Sequence, residues 1–206
     1  MKIIDISMPL NKNTAEWPGD TPFTYKVNWT KEESGSVNVG CIETSTHIGT
    51  HVDAPFHFDD HAPRIHQMEL DRYVGKALVV NCQGLKSVGA EHLENIDLSD
   101  VTIVLLKTMS WNDRSHFPEN ITYLEPSLGP MLQKNGVRLV GVDTPSVDPV
   151  DSKELGAHHS LWEHDVAILE GLVLNDVETK VYECIALPLR IEGADGSPVR
   201  AILREI

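Results

Sequence analysis

Cysteine, basic residues and long apolar runs are all scarce in this chain of 206 residues. Its three cysteines form no CxxC pair and cannot all pair with one another, so neither a disulfide framework nor a zinc knuckle is indicated. Only 17 basic side chains stand against 31 acidic ones, a net charge of −14 with histidine neutral. This balance disfavours a nucleic-acid partner, because phosphate binding needs clustered lysine and arginine. No apolar stretch approaches the roughly 20 residues that cross a bilayer, so we expect no membrane partner.

Several familiar catalytic motifs are absent as well. The chain has no GxSxG elbow, which counts against a serine hydrolase of the α/β type. It has no GxGxxG, GxxxxGKS/T or HExxH, and no cysteine has a neighbouring histidine in a recognisable motif. Near the amino terminus, Asp5 stands where a signal peptide would need an apolar core, which predicts a cytoplasmic location.

The most informative feature is the segment 47–57, which reads His-Ile-Gly-Thr-His-Val-Asp-Ala-Pro-Phe-His. Side chains of an extended chain alternate between two faces, so its odd-numbered polar residues would project to one side. These residues are His47, His51, Asp53 and His57. Glycine, proline and β-branched residues within the segment argue against a helix. Neutral imidazole and carboxylate suit zinc or manganese, so metal binding is the simplest use; the alternative is a polar edge strand.

Short runs rich in valine, isoleucine and leucine recur along the chain, and several are apolar on both faces. They predict strands inside a layered α/β or α+β fold. The runs cover 37–44, 77–82, 101–107, 137–142, 166–171, 181–187 and 199–206. Helices are predicted at 87–95, at 125–135 before Gly136, and at 155–164. The length suits one domain over residues 1–206, although two small domains are also compatible with it.

Glu170 interrupts an otherwise apolar run, 166–174, that is bound for the interior. A buried carboxylate is costly unless it is paired or bound to a metal. A metal-ligand role is therefore favoured, and the alternative is a salt bridge to Lys107 or Arg190, each of which also ends an apolar strand.

Three further positions are candidates for the same site. His158 and His159 lie on the predicted helix before the Glu170 strand, where one could bind a metal while its neighbour points elsewhere. In isolation, such a pair more often lies on the surface or caps a helix. Trp17 lies in a Pro-Gly loop and is either a hydrophobic cap or a stacking surface for a planar ligand.

Residues 47–58 resemble the HxGTHxDxPxHF signature of the cyclase-like metal-dependent hydrolases. Further similar blocks lie at 17–22, 37–40, 141–146, 157–159, 167–171, 186–190 and 197–201, so the resemblance spans nearly the whole chain. The C-terminal blocks favour the formamidase branch of this family. The resemblance implies a layered α/β fold with a β-rich core and flanking helices, usually assembled as a homodimer.

The family pattern also implies a metal site. Its ligands would be His47, His51 and Asp53 for one zinc, extended to a second metal by His158 and Glu170. Manganese is the alternative metal. His158 is preferred to its neighbour because its spacing from Glu170 matches the family pattern better.

The remaining roles come from the same resemblance. Asp53 and Glu170 would bridge the metals, His57 would donate and accept the proton, and Trp17 would contact the substrate. The implied reaction is hydrolysis of N-formyl-L-kynurenine to formate and L-kynurenine in tryptophan degradation. One alternative is a related hydrolase that opens a cyclic amide such as isatin. Another is a non-catalytic metal-binding protein of the same fold, against which the retention of His57 argues.

Overall fold

The computed structural model describes residues 2–206, and most of its regular structure is strand. The strands are β1 Ile3–Asp5, β2 Thr24–Trp29, β3 Val39–Glu43, β4 His51–Asp53, β5 Val74–Asn81, β6 Ser87–Val88, β7 Ile103–Lys107, β8 Tyr123–Leu124, β9 Leu139–Val142, β10 Ala167–Glu170, β11 Val181–Ile185, β12 Gly196–Pro198 and β13 Ile202–Arg204. The α-helices are α1 Lys31–Ser34, α2 Leu128–Lys134 and α3 Gly156–Glu163. Short 3-10 helices cover Pro55–His57, Ile65–Gln67, Leu70–Tyr73 and Ala90–His92. No helix in this described part of the chain is long and apolar enough to cross a membrane.

Nine strands form one sheet in the order β1-β13-β11-β5-β7-β9-β10-β4-β12. Strands β5, β7, β9 and β10 are parallel at its centre, and antiparallel pairs extend the sheet on both sides. Parallel strands are buried on both faces, which is why their sequences are apolar without alternation. The layered α/β fold with a β-rich core is therefore confirmed.

Alternate residues of the central strands pack into two separate hydrophobic clusters, one on each face of the sheet. Ile103 and Leu105 belong to one cluster, while Val104 and Leu106 belong to the other, as the two-residue period of a strand requires. Helices α2 and α3 cover the second cluster. The first cluster joins central strands to Val52 and Leu203 near opposite ends of the strand order, so the sheet curls around it.

The predicted helices at 125–135 and 155–164 are confirmed as α2 and α3, and Gly136 has the expected left-handed backbone, φ +75°. The predicted helix at 87–95 is wrong. Strand β6 occupies its start and pairs with β8, with Glu125 N donating to Val88 O at 2.9 Å, and only one 3-10 turn follows. Non-local strand pairing therefore overrides the local pattern here.

Strands β2 and β3 form a separate two-stranded sheet, and every residue of β2 is exposed. An isolated two-stranded hairpin is only marginally stable in water. Several large side chains on this hairpin are largely exposed: Tyr25 at 60%, Trp29 at 61% and Ile42 at 61%. The hairpin is thus an unusually apolar surface feature.

Candidate metal centre

Strand β4 forms the base of the candidate centre. It lies between β10 and β12, both antiparallel to it, with Glu170 opposite His51 and Gly196 opposite Asp53. This register brings the end of β10 beside the histidine-rich motif. Residues far apart in the chain therefore meet because the backbone ladder aligns them.

Only part of the histidine motif is extended. His51 and Asp53 lie on β4 and are buried, but His57 lies on the 3-10 helix Pro55–His57 and His47 on the turn before the strand. The turn passes through Gly49 at φ +62°, where a Cβ atom would approach Leu10 Cδ2 to 2.7 Å. The extended segment predicted for 47–57 is therefore wrong outside β4, and a glycine turn brings His47 back over the strand.

The five predicted ligands converge on one point. Asp53 Oδ1 lies 3.0 Å from His47 Nδ1 and 3.4 Å from His51 Nε2, while Asp53 Oδ2 lies 3.4 Å from His158 Nε2. Glu170 lies 3.3 Å from His51 Nε2 and 3.8 Å from His158 Nε2. The ligand atoms form two groups of three that share Asp53, each group within 4.8 Å. The structure brings these residues together, and their roles as ligands stay predictions.

Two polar atoms of the cluster suit a metal in particular. Asp53 Oδ2 and His47 Nε2 are buried and have no hydrogen-bond partner. A buried carboxylate oxygen without a donor is costly, and a cation removes that cost. The set of imidazole nitrogens and carboxylate oxygens contains no thiolate, which matches the ligands of zinc or manganese. The residues present therefore fit a metal ion.

Electrostatics at the cluster favour positive charge. Burial lowers the pKa of His51, but Asp53 and Glu170 outweigh it and raise this pKa to about 10. Burial likewise lowers the pKa of His158, and Asp148 with Asp53 raises it to about 10. Burial raises the pKa of Asp53, yet the surrounding imidazoles hold it well below its usual range. A buried region that stabilises cations in this way suits a divalent metal.

The alternative in which Glu170 forms a salt bridge with Lys107 is wrong. The Lys107 ammonium donates to the backbone carbonyls of Asn175 and Val177, at 2.8 and 3.0 Å. Glu170 instead contacts the two imidazoles and accepts a hydrogen bond from Val147 N at 2.8 Å. No ion pair within residues 2–206 joins it to Arg190.

Asp148 orients His158, and sequence reasoning missed it. Its carboxylate accepts hydrogen bonds from the backbone of Ala157 and His158 at the start of α3, and from His158 Nδ1 at 2.6 Å. The Nε2 atom of His158 is thereby left facing Asp53. His159 lies on another face of α3, is exposed, and packs edge-to-face on Phe58. Asp148 lies well before Gly156, the first residue of α3, so no helix-capping pattern in the sequence signalled its contact with His158.

We therefore expect His158→Ala and His159→Ala to differ sharply. His158→Ala removes a buried nitrogen beside two carboxylates, so the purified protein should hold less metal and lose turnover, by about 10-fold or more for a group of this kind. His159→Ala should stay near the parent in both. Elemental analysis and steady-state kinetics on the two variants measure this, and equal losses would show that the pair has been assigned wrongly.

A cavity of about 190 Å³ opens onto the centre. Its wall includes Trp17, whose ring packs edge-to-face on Phe117 at 4.8 Å, and the imidazoles of His51 and His57. The His57 side chain is 36% exposed, more than any of the five predicted ligands, and its ring stacks on His47 with centroids 3.9 Å apart. His57 thus lies between the buried centre and the open part of the cavity.

Asp195 is a second acid that sequence reasoning did not identify. The neighbouring imidazoles of His47 and His57 hold the pKa of its carboxyl well below the usual range. It lies just before the similar block at 197–201, and no spacing in the sequence connects it with the histidines.

The curled sheet matches the fold of solved structures described as metal-dependent hydrolases. A structure described as a potential metal-dependent hydrolase with cyclase activity superposes with a TM-score of 0.82 at 23% identity, covering 98% of this chain and 96% of that one. Isatin hydrolase A from Labrenzia aggregata gives 0.83 at 20% identity, covering 98% and 93%. At these identities the likeness shows the fold.

Sequence comparison shows the family to which the chain belongs. The Cyclase family model matches residues 4–149. The kynurenine formamidase of Geobacillus thermodenitrificans (strain NG80-2) is 53% identical over 203 residues, 98% of this chain and 97% of that protein. The kynurenine formamidase of Bacillus cereus (strain ZK / E33L) is 52% identical with the same coverage. The chain therefore belongs to the cyclase family and, within it, to the kynurenine formamidases, which confirms the resemblance seen at residues 47–58.

Proposed function

We propose that this protein is a kynurenine formamidase that hydrolyses N-formyl-L-kynurenine to L-kynurenine and formate in tryptophan degradation. The observation that carries the proposal is the identity of 52–53% to kynurenine formamidases over nearly the whole chain. The site supports it, because the exposed imidazole of His57 lies beside the buried candidate metal centre, in a cavity whose wall includes Trp17. An anilide substrate needs all three features: a flat surface for its ring, an activated water and a proton for its leaving nitrogen.

The metal is proposed to be zinc, at two ions per chain, with manganese as the alternative. His47, His51 and Asp53 would hold one ion, and His158 with Glu170 would hold the other. The support is that two groups of donors share Asp53, so a carboxylate stands between two candidate positions. Elemental analysis should approach two metals per chain, and Glu170→Gln should weaken the binding of both, because the Glu170 carboxylate lies beside both His51 and His158.

His57 is proposed to move the proton. When bound, the metal would polarise the formyl carbonyl and acidify water. His57 would accept a proton from the attacking water and deliver it to the aniline nitrogen as the C–N bond breaks. That nitrogen is a modest leaving group, so its protonation matters for the rate. Trp17 would lie against the aromatic ring of the substrate.

The proposed function is tested by comparing two substrates on the metal-loaded protein. N-formyl-L-kynurenine should be turned over with a higher kcat/KM than isatin, since the proposed site serves a linear anilide. A higher value for isatin would establish the cyclic-amide alternative. Absence of turnover with any aryl formamide, in protein whose metal content has been measured, would favour a non-catalytic metal-binding role.

We also propose that residues 1–206 form one domain and that the protein is a cytoplasmic homodimer without nucleic-acid or membrane partners. The exposed apolar side chains of the β2–β3 hairpin support self-association, because contiguous apolar surface commonly marks an interface. The net charge of −14 disfavours binding to phosphate backbones.

A further inference from the structure

Asp195 is held firmly at the rim of the centre. Its backbone carbonyl accepts a hydrogen bond from Ala54 N at 2.8 Å, and its Oδ1 accepts one from Thr46 Oγ1 at 2.7 Å. It directly precedes β12, which pairs with β4. The carboxylate is therefore anchored on one oxygen, although its side chain is 39% exposed.

The other oxygen of Asp195 faces two imidazoles. Oδ2 lies 3.1 Å from His47 Nε2 and 3.8 Å from His57 Nδ1. Glycine at position 196 allows the backbone of β12 to pass close to His47, because a Cβ atom there would lie 2.8 Å from the His47 ring. No other carboxylate within residues 2–206 lies within ion-pair distance of His57.

We propose that Asp195 is a positioning residue that acts through His57. Its Oδ2 accepts the Nδ1 proton of His57, which selects one tautomer and leaves Nε2 as the atom that exchanges a proton in the cavity. The 3.8 Å separation is at ion-pair range, and hydrogen bonds of catalytic groups are often long before substrate binds. This inference rests on the proposed function for its effect on rate, but the tautomer itself does not depend on any substrate.

The same atoms allow one other role. His47, His57 and Asp195 each offer a ligand atom within 4.8 Å of the others, so Asp195 could instead bind a metal. Asp195 is less deeply buried than the five predicted ligands, and its anchored carboxylate reaches the exposed His57, which favours a positioning role. Metal content separates the two roles.

The kinetic test uses Asp195→Ala, with Asp60→Ala as a matched control at an exposed acid. Asp195→Ala should lower kcat by about 10–100-fold, the usual cost of losing a partner that orients a functional histidine, with metal content and KM near the parent values. Asp195→Glu should recover part of the loss. In a His57→Ala background, Asp195→Ala should cost nothing further, because the two residues act as one unit. Loss of metal in proportion to activity, or additive losses in the double variant, would overturn the proposal.

A second readout needs no substrate. Long-range ¹H–¹⁵N spectra of the zinc-loaded protein report the tautomer of His57, assigned by its disappearance in His57→Ala. The parent should show Nδ1–H, and Asp195→Ala should shift the population toward Nε2–H. If Asp195→Ala unfolds early, Asp195→Leu keeps a similar side-chain shape without any acceptor and is measured in the same way. An unchanged tautomer overturns the inference, whereas the expected shift in a protein that fails to turn over formylkynurenine refutes only the proposed function.

Discussion

Replacement of His57 by alanine should lower kcat by about 10²–10⁴-fold, the usual worth of general acid–base catalysis, while the protein keeps its fold and metal. The expected effect lies in kcat because a proton transfer made in the transition state does not help the ground state bind. The difference in burial between His57 and the predicted ligands is the reason to expect an effect on rate without loss of metal. The His57 side chain is 36% exposed, whereas Asp53, Glu170 and His158 are almost completely buried.

His61→Ala is the matched control for this prediction, since His61 is an exposed histidine a few residues away in the same loop region. It should behave as the parent does. An anilide with a better leaving group should narrow the gap between His57→Ala and the parent, since less protonation is then needed. Loss of metal in proportion to activity in His57→Ala would make His57 a ligand and move the acid–base role to another residue.

Removal of the metal should abolish turnover, and zinc or manganese should restore it, because the donor set is nitrogen and oxygen without thiolate. His51→Ala should lose metal and turnover together and should not recover on adding metal at ordinary concentrations. His51 is buried, its Nε2 lies 3.4 Å from Asp53 and 3.3 Å from Glu170, and its Nδ1 must donate to Gly49 O at 3.1 Å. That backbone contact selects the tautomer whose Nε2 is free for a metal.

Thermal unfolding supplies an independent measurement of the same prediction. Chelated protein should melt at a lower temperature than loaded protein, because a metal that binds only the folded state stabilises it. His116→Ala, at a side chain that is 81% exposed, serves as the control and should show the parent's metal response. Full activity in metal-stripped protein, verified by elemental analysis, would contradict the mechanism.

The central strands of the sheet were predictable because they are apolar on both faces. The runs at 77–82, 101–107 and 137–142 correspond to β5, β7 and β9. Strand β12 was not predictable, since its residues Gly196–Pro198 carry no apolar pattern and are held extended by pairing with β4. The helix expected at 87–95 failed for the same reason, because a partner strand decided its conformation.

The chemistry of the centre was visible in the sequence. Three imidazoles and a carboxylate within residues 47–57, together with a carboxylate in an apolar run at Glu170, predict a cation site from donor type alone. The family resemblance followed from the same motif and is confirmed over nearly the whole chain. Residue types and their local spacing were sufficient for both conclusions.

The neighbours of those donors were decided only by the tertiary structure. Opposition of Glu170 to His51 and of Gly196 to Asp53 depends on strand register, which no local pattern of three- or four-residue strands specifies. Which of His158 and His159 lies at the centre depends on the face of α3 that packs toward it, and Asp148 turns the Nε2 atom of His158 toward Asp53 by accepting a hydrogen bond from Nδ1. Asp195 reaches His57 only because β12 adds to β4. The sequence by itself determined which atoms can bind a metal or carry a proton; backbone pairing between distant segments determined which of them meet, because those contacts arise from hydrogen bonds that exist only in the folded chain.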